Sequence, residues 1–234
     1  MAGNVRERVA RWLCETTLKP RDGIYFLERI EKMAATLALW GAHTNLTADA
    51  SDPAEIAFHI IDSLAPMAFA SDADHDALDT ALGESATALD LGSGAGFPGL
   101  VLAAAFGAQF TLAEARRKRA SYLQVAAHEM DLDNVAIEQR RAHARTIASG
   151  VYHLVTARAF GTSTELYEIA AAALRPGGVL LLYESADQAT LDDSLAHALL
   201  AERSTWTYRL PHGERIVNRT AVLWRKSRTV SMDF

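Results

Sequence analysis

Apolar positions recur at two different periods along this chain, and the change falls near residue 86. From residue 5 to residue 70 the spacing is helical. Val5, Val9, Trp12 and Leu13 mark one short helix. Ile24, Leu27, Ile30, Ala34, Leu37 and Ala38 mark a second, with Asp22 as its N-cap and Gly41 as its stop. Asn45-Leu-Thr-Ala48 breaks the pattern. Asp52-Pro53 then opens a third helix, with proline at the first helical position. It carries Ile56, Phe58, Ile60, Ile61 and Leu64 and ends near Ala70. Asp72, Asp74, Asp76, Asp79 and Glu84 follow and read as an acidic surface loop.

After residue 86 short apolar runs alternate with helical stretches. Strands are expected over Ala88–Leu91, Gln109–Ala113, Val135–Glu138, Leu154–Thr156 and Val179–Tyr183. Helices are expected over Phe97–Phe106, Arg116–Met130, Thr164–Leu174 and Asp187–Leu200, with a turn at Arg175-Pro-Gly-Gly178. Thr205–Leu210 and Ile216–Trp224 run back to back without a helix, so they read as a closing hairpin. This order predicts an α/β fold with a mostly parallel, seven-stranded sheet and helices on both faces. One antiparallel strand falls near the sheet edge. Residues 1–70 form an N-terminal helical extension and residues 71–234 the sheet domain, packed as one compact unit.

Composition narrows the class. The chain has 234 residues, 50% hydrophobic and 22% charged, which argues against wholesale disorder. No apolar run reaches the roughly 18 residues of a membrane span. The charged start, Met1-Ala-Gly-Asn-Val-Arg-Glu-Arg, does not look like a signal peptide. Cys14 is the only cysteine, so neither an intrachain disulfide nor a two-thiol mechanism is available, and a cytoplasmic location is expected. The net charge of −6 is unevenly spread. Residues 33–115 hold 11 acids and no Lys or Arg, whereas residues 116–234 hold 16 basic and 13 acidic residues. A polyanion would therefore meet the two ends of the sequence, not its middle.

Asp90-Leu-Gly92-Ser-Gly94-Ala-Gly96-Phe-Pro-Gly99 carries the chemistry. It follows a strand and opens a helix, where alternating glycines let a ligand approach backbone. Gly94 to Gly99 also matches G-x-G-x-x-G, so a dinucleotide oxidoreductase has to be weighed. An acid two residues before the first glycine opposes it, because Asp90 would repel a pyrophosphate. Strand-Asp-x-Gly-x-Gly is instead the first motif of S-adenosylmethionine (SAM) methyltransferases, in which the acid accepts hydrogen bonds from the amino-acid end of the ligand. Glu114, closing the second strand, can accept both ribose hydroxyls. The turn and buried strand over Leu174–Leu182 resemble the segment before strand five of such enzymes.

The chain further resembles the RsmG/GidB family, which methylates a guanine N7 in 16S ribosomal RNA. The matching stretches are Asn45-Leu-Thr-Ala48, His59-Ile-Ile-Asp-Ser-Leu64, Leu89 to Gly99, Lys118-Arg119, Asn134-Val135, Arg158-Ala-Phe160 and Gly213-Glu-Arg215. They occur in family order between about residues 24 and 226. The resemblance implies a Rossmann-like class I fold, SAM as methyl donor, guanine 527 as target and the small ribosomal subunit as partner. It implies no metal, no membrane and a monomer. It puts cofactor contacts at Gly92, Phe97, Ala142, His143 and Arg158, to which the glycine-loop reading adds Asp90, Gly94, Gly96 and Glu114. Arg158 is the positioning candidate, and a surface ion pair is its plain alternative. Departures are Gly41-Ala42 for a family Asn, His143 for an acid, His153 for an Asp and Ala115 for a Ser.

A guanine N7 lone pair needs no deprotonation, so the task is in-line positioning and no general base is obligatory. Cys14 is remote in sequence from the loop, which disfavours pyrimidine C5 chemistry. Thr156-Ala-Arg158-Ala-Phe160 stands where exocyclic-amine methyltransferases carry Asn/Asp-Pro-Pro-Tyr. RNA phosphates could meet Arg116, Arg117, Lys118 and Arg119. The larger C-terminal set of Arg209, Arg215, Arg219, Arg225, Lys226 and Arg228 is the better candidate patch. His59 and Asp62-Ser63 could pack the extension over the cofactor mouth, or serve as a helix cap or core hydrogen bond. A SAM methyltransferase of a small molecule and a non-catalytic SAM-binding ribosome-associated module remain alternatives.

Overall fold

A computed structural model of the protein describes residues 3–41, 44, 46–160, 163–185, 194–213 and 215–228. Asn45, Ala42, Glu214 and the first half of the expected Asp187–Leu200 helix lie outside the described residues.

Three helices come first, each built for a local reason. α1 (Val5–Cys14) starts at a capping box in which Asn4 accepts from the Glu7 backbone and Glu7 reaches back to that of Asn4. α2 spans Gly23–Gly41. α3 (Pro53–Phe69) is capped by Asp52, whose side chain accepts from the Ala54 amide at 2.8 Å.

The acidic stretch is a fourth helix, α4 (Asp72–Leu82), and not a loop. Ser71 caps it, and Asp72 and Asp74 stand in its first turn, where the helix dipole favours negative charge. Leu78, Ala81 and Leu82 supply a narrow buried stripe at helical spacing. Net acidity hid that stripe. Asp74 itself is buried and bonded to Ser71 Oγ at 2.7 Å and to the Arg225 guanidinium.

The remaining elements are β1 (Thr87–Leu91), α5 (Gly99–Ala105), β2 (Gln109–Ala113), α6 (Arg117–Glu129), β3 (Val135–Glu138) and β4 (Tyr152–Arg158). They continue with α7 (Ser163–Ala173), β5 (Leu174–Ser185), α8 (Ser194–Leu200), β6 (Glu202–His212) and β7 (Arg215–Arg225). The expected turn at Arg175-Pro-Gly-Gly178 is absorbed into β5. A register shift between Tyr152 and Leu154 accommodates it, with Gly177 at φ +76°.

The seven strands form one sheet in the order β3-β2-β1-β4-β5-β7-β6. β1 to β5 run parallel, and β7 is antiparallel to both β5 and β6. This is a Rossmann-like α/β sheet, as the order of elements predicts. Side chains alternate across the sheet with period two. Ala88, Leu154, Val179 and Leu181 pack with α1 to α6 in one core. Leu89, Val155, Leu180 and Leu182 pack with α7 and α8 in the other. The strand order reverses between β1 and β4, which opens a crevice at their carboxyl ends, where ligands bind in this architecture. Among the described residues, no helix is long and apolar enough to cross a membrane, and no group of three His, Cys, Asp or Glu could hold a metal ion.

One side chain fastens the far side of the sheet. Asn134 Nδ2, just before β3, donates to the carbonyls of Ala108 at 2.9 Å and Ala103 at 3.0 Å, with Phe106 O at 3.4 Å. Asn134→Ala leaves these carbonyls without that donor. The expected loss is about 1–3 kcal/mol of stability, measured by urea unfolding. A loss under about 0.5 kcal/mol, the ordinary effect of a surface change, would refute this role.

Candidate active site

β1 delivers Asp90 to the crevice, and the chain then turns through Gly92, Gly94 and Gly96 at φ +69°, +52° and +87°. These are left-handed values that residues with a Cβ rarely adopt. Gly99 is required for a different reason. A Cβ there would stand 2.6 Å from Asp90 Oδ2, so the carboxylate and the start of α5 can only close up over glycine.

Asp90 is enclosed, with 1% of its surface exposed. Its Oδ1 accepts from Thr156 Oγ1 of β4 at 2.7 Å, and Oδ2 has no hydrogen-bond partner. Burial pushes its carboxyl above the ordinary range, and the Thr156 bond opposes that shift. Glu114, directly after β2, is also buried. Its Oε2 accepts from the Gly94 amide at 3.0 Å and its Oε1 from the Arg116 amide at 2.7 Å. The glycine loop is thus held by the carboxylate that follows β2. Each oxygen of Glu114 keeps a further lone pair for a ligand hydroxyl.

Phe97 is buried, with His59 of α3 at 5.1 Å between ring centroids and the Arg158 guanidinium over its face at 5.8 Å. Ala142 packs among Leu91, Ala113 and Ala157, at the strand ends around the crevice. His143 beside it is 53% exposed at the side chain and lies 3.6 Å from Glu165. The chain bends sharply after Arg158. Ala159 takes φ +52°, and a Cβ on Gly92 would meet the Phe160 ring at 3.1 Å. Strain of this kind in a residue other than glycine is concentrated at functional sites.

Arg158 is nearly enclosed. Nη1 pairs with Asp62 Oδ2 at 3.3 Å, without hydrogen-bond alignment. Nη2 lies 2.5 Å from His59 Nδ1. Because a guanidinium only donates, that nitrogen presents its lone pair, and the proton sits on Nε2, 3.1 Å from Glu55 Oε1. Burial first, and then the charges of Arg158, Arg219 and His212, bring the His59 pKa down to about 3. His212 Nε2 meets the other oxygen of Glu55 at 2.5 Å. Asp62 also accepts from Tyr208 at 3.2 Å and pairs with Arg219 at 3.5 Å, while Tyr183 donates to the Ser63 carbonyl at 2.8 Å. His59, Asp62 and Ser63 therefore clamp α3 to β4, β5 and the β6–β7 hairpin, and none of them is a helix cap. Sequence reading missed Glu55 and His212. The four-residue spacing of Glu55 and His59 was a usable signal, but nothing local marked His212.

The two proposed cationic patches fare differently. Arg219 and Arg225 are tied to Asp62 and Asp74, and Lys226 Nζ donates to the Ala171 and Leu174 carbonyls at the end of α7. Arg215 and Arg225 stand at opposite ends of β7, about 30 Å apart at strand rise. The six residues are no single patch. Arg209 and Arg215 remain exposed near the hairpin tip, on the crevice side of the sheet. Arg116, Arg117 and Lys118 are exposed where α6 begins, next to Glu114.

A family sequence model described as "GidB: rRNA small subunit methyltransferase G" matches residues 26–203. The chain belongs to this family. A "Ribosomal RNA small subunit methyltransferase G" from Wolinella succinogenes is 35% identical over 68% of this chain and 75% of its own length. The one from Myxococcus xanthus is 32% identical over 78% of this chain and 81% of its own. One from Stenotrophomonas maltophilia is 38% identical, and the match spans 63% of its length. Among solved structures, a candidate sarcosine dimethylglycine methyltransferase from Galdieria sulphuraria superposes with a TM-score of 0.52 at 16% identity, over 68% of this chain and 84% of that one. The YcgJ protein of Bacillus subtilis gives 0.51 at 13% identity, over 67% and 100%. At such identities these two speak for the fold alone. In this GidB-family chain the family stretches His59 to Leu64, Leu89 to Gly99 and Arg158 to Phe160 meet around one crevice.

The neutral imidazole sets a pH dependence. Unfolded, His59 titrates near 6.5, and folded near 3, so between these values the unfolded chain holds the extra proton. Stability must fall as pH drops through that window. Urea unfolding between pH 7 and pH 5 is expected to show this loss in the wild type and a flatter profile in His59→Gln. Equal slopes would refute the assignment.

Proposed function

We propose that this chain transfers a methyl group from SAM to N7 of a guanine in 16S rRNA, by family resemblance guanine 527. The observation that carries the reading is Arg158, held by His59 and Asp62 against Phe97 at the mouth of the glycine loop. SAM fits the residues present. The buried Asp90 Oδ2 without a partner and the three glycines at positive φ make a cradle for its amino-acid end, directly or through water. When bound, SAM supplies a methyl group already activated on a sulfonium.

The chain's own residues then bind and orient. Backbone at Gly92, Gly94 and Gly96 approaches the ligand closely. Glu114 fixes the loop and offers lone pairs to ribose hydroxyls. Ala142 and His143 would hold the adenine or ribose end, where His143 can donate as well as accept. Phe97 walls the cleft, and Arg158 above it steers the guanine edge. No side chain has to remove a proton from N7. That agrees with the cleft chemistry, since both nitrogens of His59 are engaged and Asp90 is enclosed. The protein would act as a cytoplasmic monomer on the small ribosomal subunit, without a metal.

The test uses small subunits from cells lacking the modification, methyl-labelled SAM, and mapping by cleavage selective for 7-methylguanosine. Label at one guanine is expected. Arg158→Ala should lower kcat/KM about a hundredfold through lost orientation. Glu114→Gln should raise the KM for SAM about tenfold, since a charged acceptor is lost. Bound cofactor with no label at any guanine would refute the reading in favour of a small-molecule substrate or a non-catalytic binder.

A further inference from the structure

A second site lies beside the crevice, where the end of α2 meets the start of α6. It is a cavity of about 410 Å³ lined by Leu39, Trp40, Thr44 and Lys118. Leu39 is 75% exposed. Trp40 meets Tyr122 edge-on at 6.1 Å, and the Tyr122 hydroxyl donates to the Ala95 carbonyl of the glycine loop at 3.3 Å. The slot is therefore fastened to the loop that the function depends on.

Its lining carries one cation, Lys118, which is exposed, as are Arg116 and Arg117 just before it, and no ion pair to these three stands among the described residues. The chain carries −6 overall, and no Lys or Arg occurs between residues 33 and 115. An exposed lysine at the edge of the slot, with two exposed arginines next to it in sequence, attracts phosphate. An indole and a leucine below them suit a flat ring, because every nucleobase has a face that stacks. Both halves of the slot are satisfied together by one unpaired nucleotide.

Resting on the reading above, we propose that this slot seats an unpaired base of the substrate RNA on Trp40 and Leu39, with the adjoining phosphates on Lys118 and its neighbours. The base is not the one methylated. It anchors the strand beside the crevice and sets the register in which the target nucleotide enters.

The experiment measures binding of unmethylated small subunits to the whole chain over a series of salt concentrations, with SAM affinity measured separately. Lys118→Ala is expected to weaken binding several-fold and to lower the salt slope by about 1. Leu39→Glu, at an exposed position that folding does not need, should weaken binding about tenfold or more by placing a carboxylate in the slot. Both should keep wild-type SAM affinity, and Lys19→Ala, an exposed cation elsewhere, should bind subunits as wild type. Subunits carrying 4-thiouridine should photo-crosslink to the tryptic peptide containing Trp40. Wild-type binding by both slot variants overturns the proposal and leaves the methyltransferase reading intact. Weakening by Leu39→Glu with an unchanged slope for Lys118→Ala and no RNA adduct assigns the slot to a protein and also overturns it. A wild-type chain that binds no subunit at any salt overturns both readings.

Discussion

A buried carboxylate with two guanidinium partners holds the functional half of this molecule together. Asp62 is 2% exposed and faces Arg158 from β4, Arg219 from β7 and the Tyr208 hydroxyl from β6. Taking such charges out of water is costly, and apolar residues of similar volume often pack as stably. What the ionic arrangement adds is direction. Leucines in these places would let α3 slide over the sheet, whereas a carboxylate held by one hydroxyl donor and two guanidinium charges from three strands admits one seat. Glu55 repeats the device two turns away by bridging His59 and His212. Two acids on one helix face thereby join the N-terminal helices, the fourth strand and the C-terminal hairpin at the point where a ligand enters.

The crevice beside this clamp is shaped by backbone constraint. Gly92, Gly94 and Gly96 occupy conformations that side chains resist, and Ala159 is held in one although it has a Cβ. The hydrogen bonds from the Gly94 amide to Glu114 and from Thr156 to Asp90 offset part of that strain. The loop is consequently set before any ligand arrives. A preformed loop loses less conformational entropy on binding than one that must order itself.

The parallel sheet, the closing hairpin and the glycine loop were legible because each has a local signature. Period-two runs marked the strands, Pro53 marked the start of α3, and spaced glycines marked the turn after β1. α4 escaped because its four acids dominated the segment, while burial depends only on the stripe of Leu78, Ala81 and Leu82. The C-terminal arginines misled for a related reason. A strand carries neighbours in sequence to opposite ends of the molecule, so Arg215 and Arg225 share a strand and not a surface. Arg219 and Arg225 had also been claimed by Asp62 and Asp74, partners more than 150 residues away in the chain. No window of sequence shows a pairing of that separation. The resemblance marked His59, Asp62 and Arg158 separately, and only the packing of α3 across β4 brings them together.

That packing also explains an otherwise puzzling economy. The cleft holds a histidine, two buried carboxylates and an arginine, a set that could serve acid–base catalysis. Here most of their polar atoms are committed, the enclosed Asp90 Oδ2 and Arg158 Nη1 excepted. His59 gives its lone pair to Arg158 and its proton to Glu55, Asp90 accepts from Thr156, and Glu114 accepts from two amides. Groups fixed in this way are poor proton carriers and good struts. A reaction whose nucleophile already bears a free lone pair and whose electrophile arrives activated makes little use of the former and depends on the latter. The chemistry that the arrangement suits is therefore one limited by angle and distance, and the residues that could have moved protons are spent on holding Arg158 still.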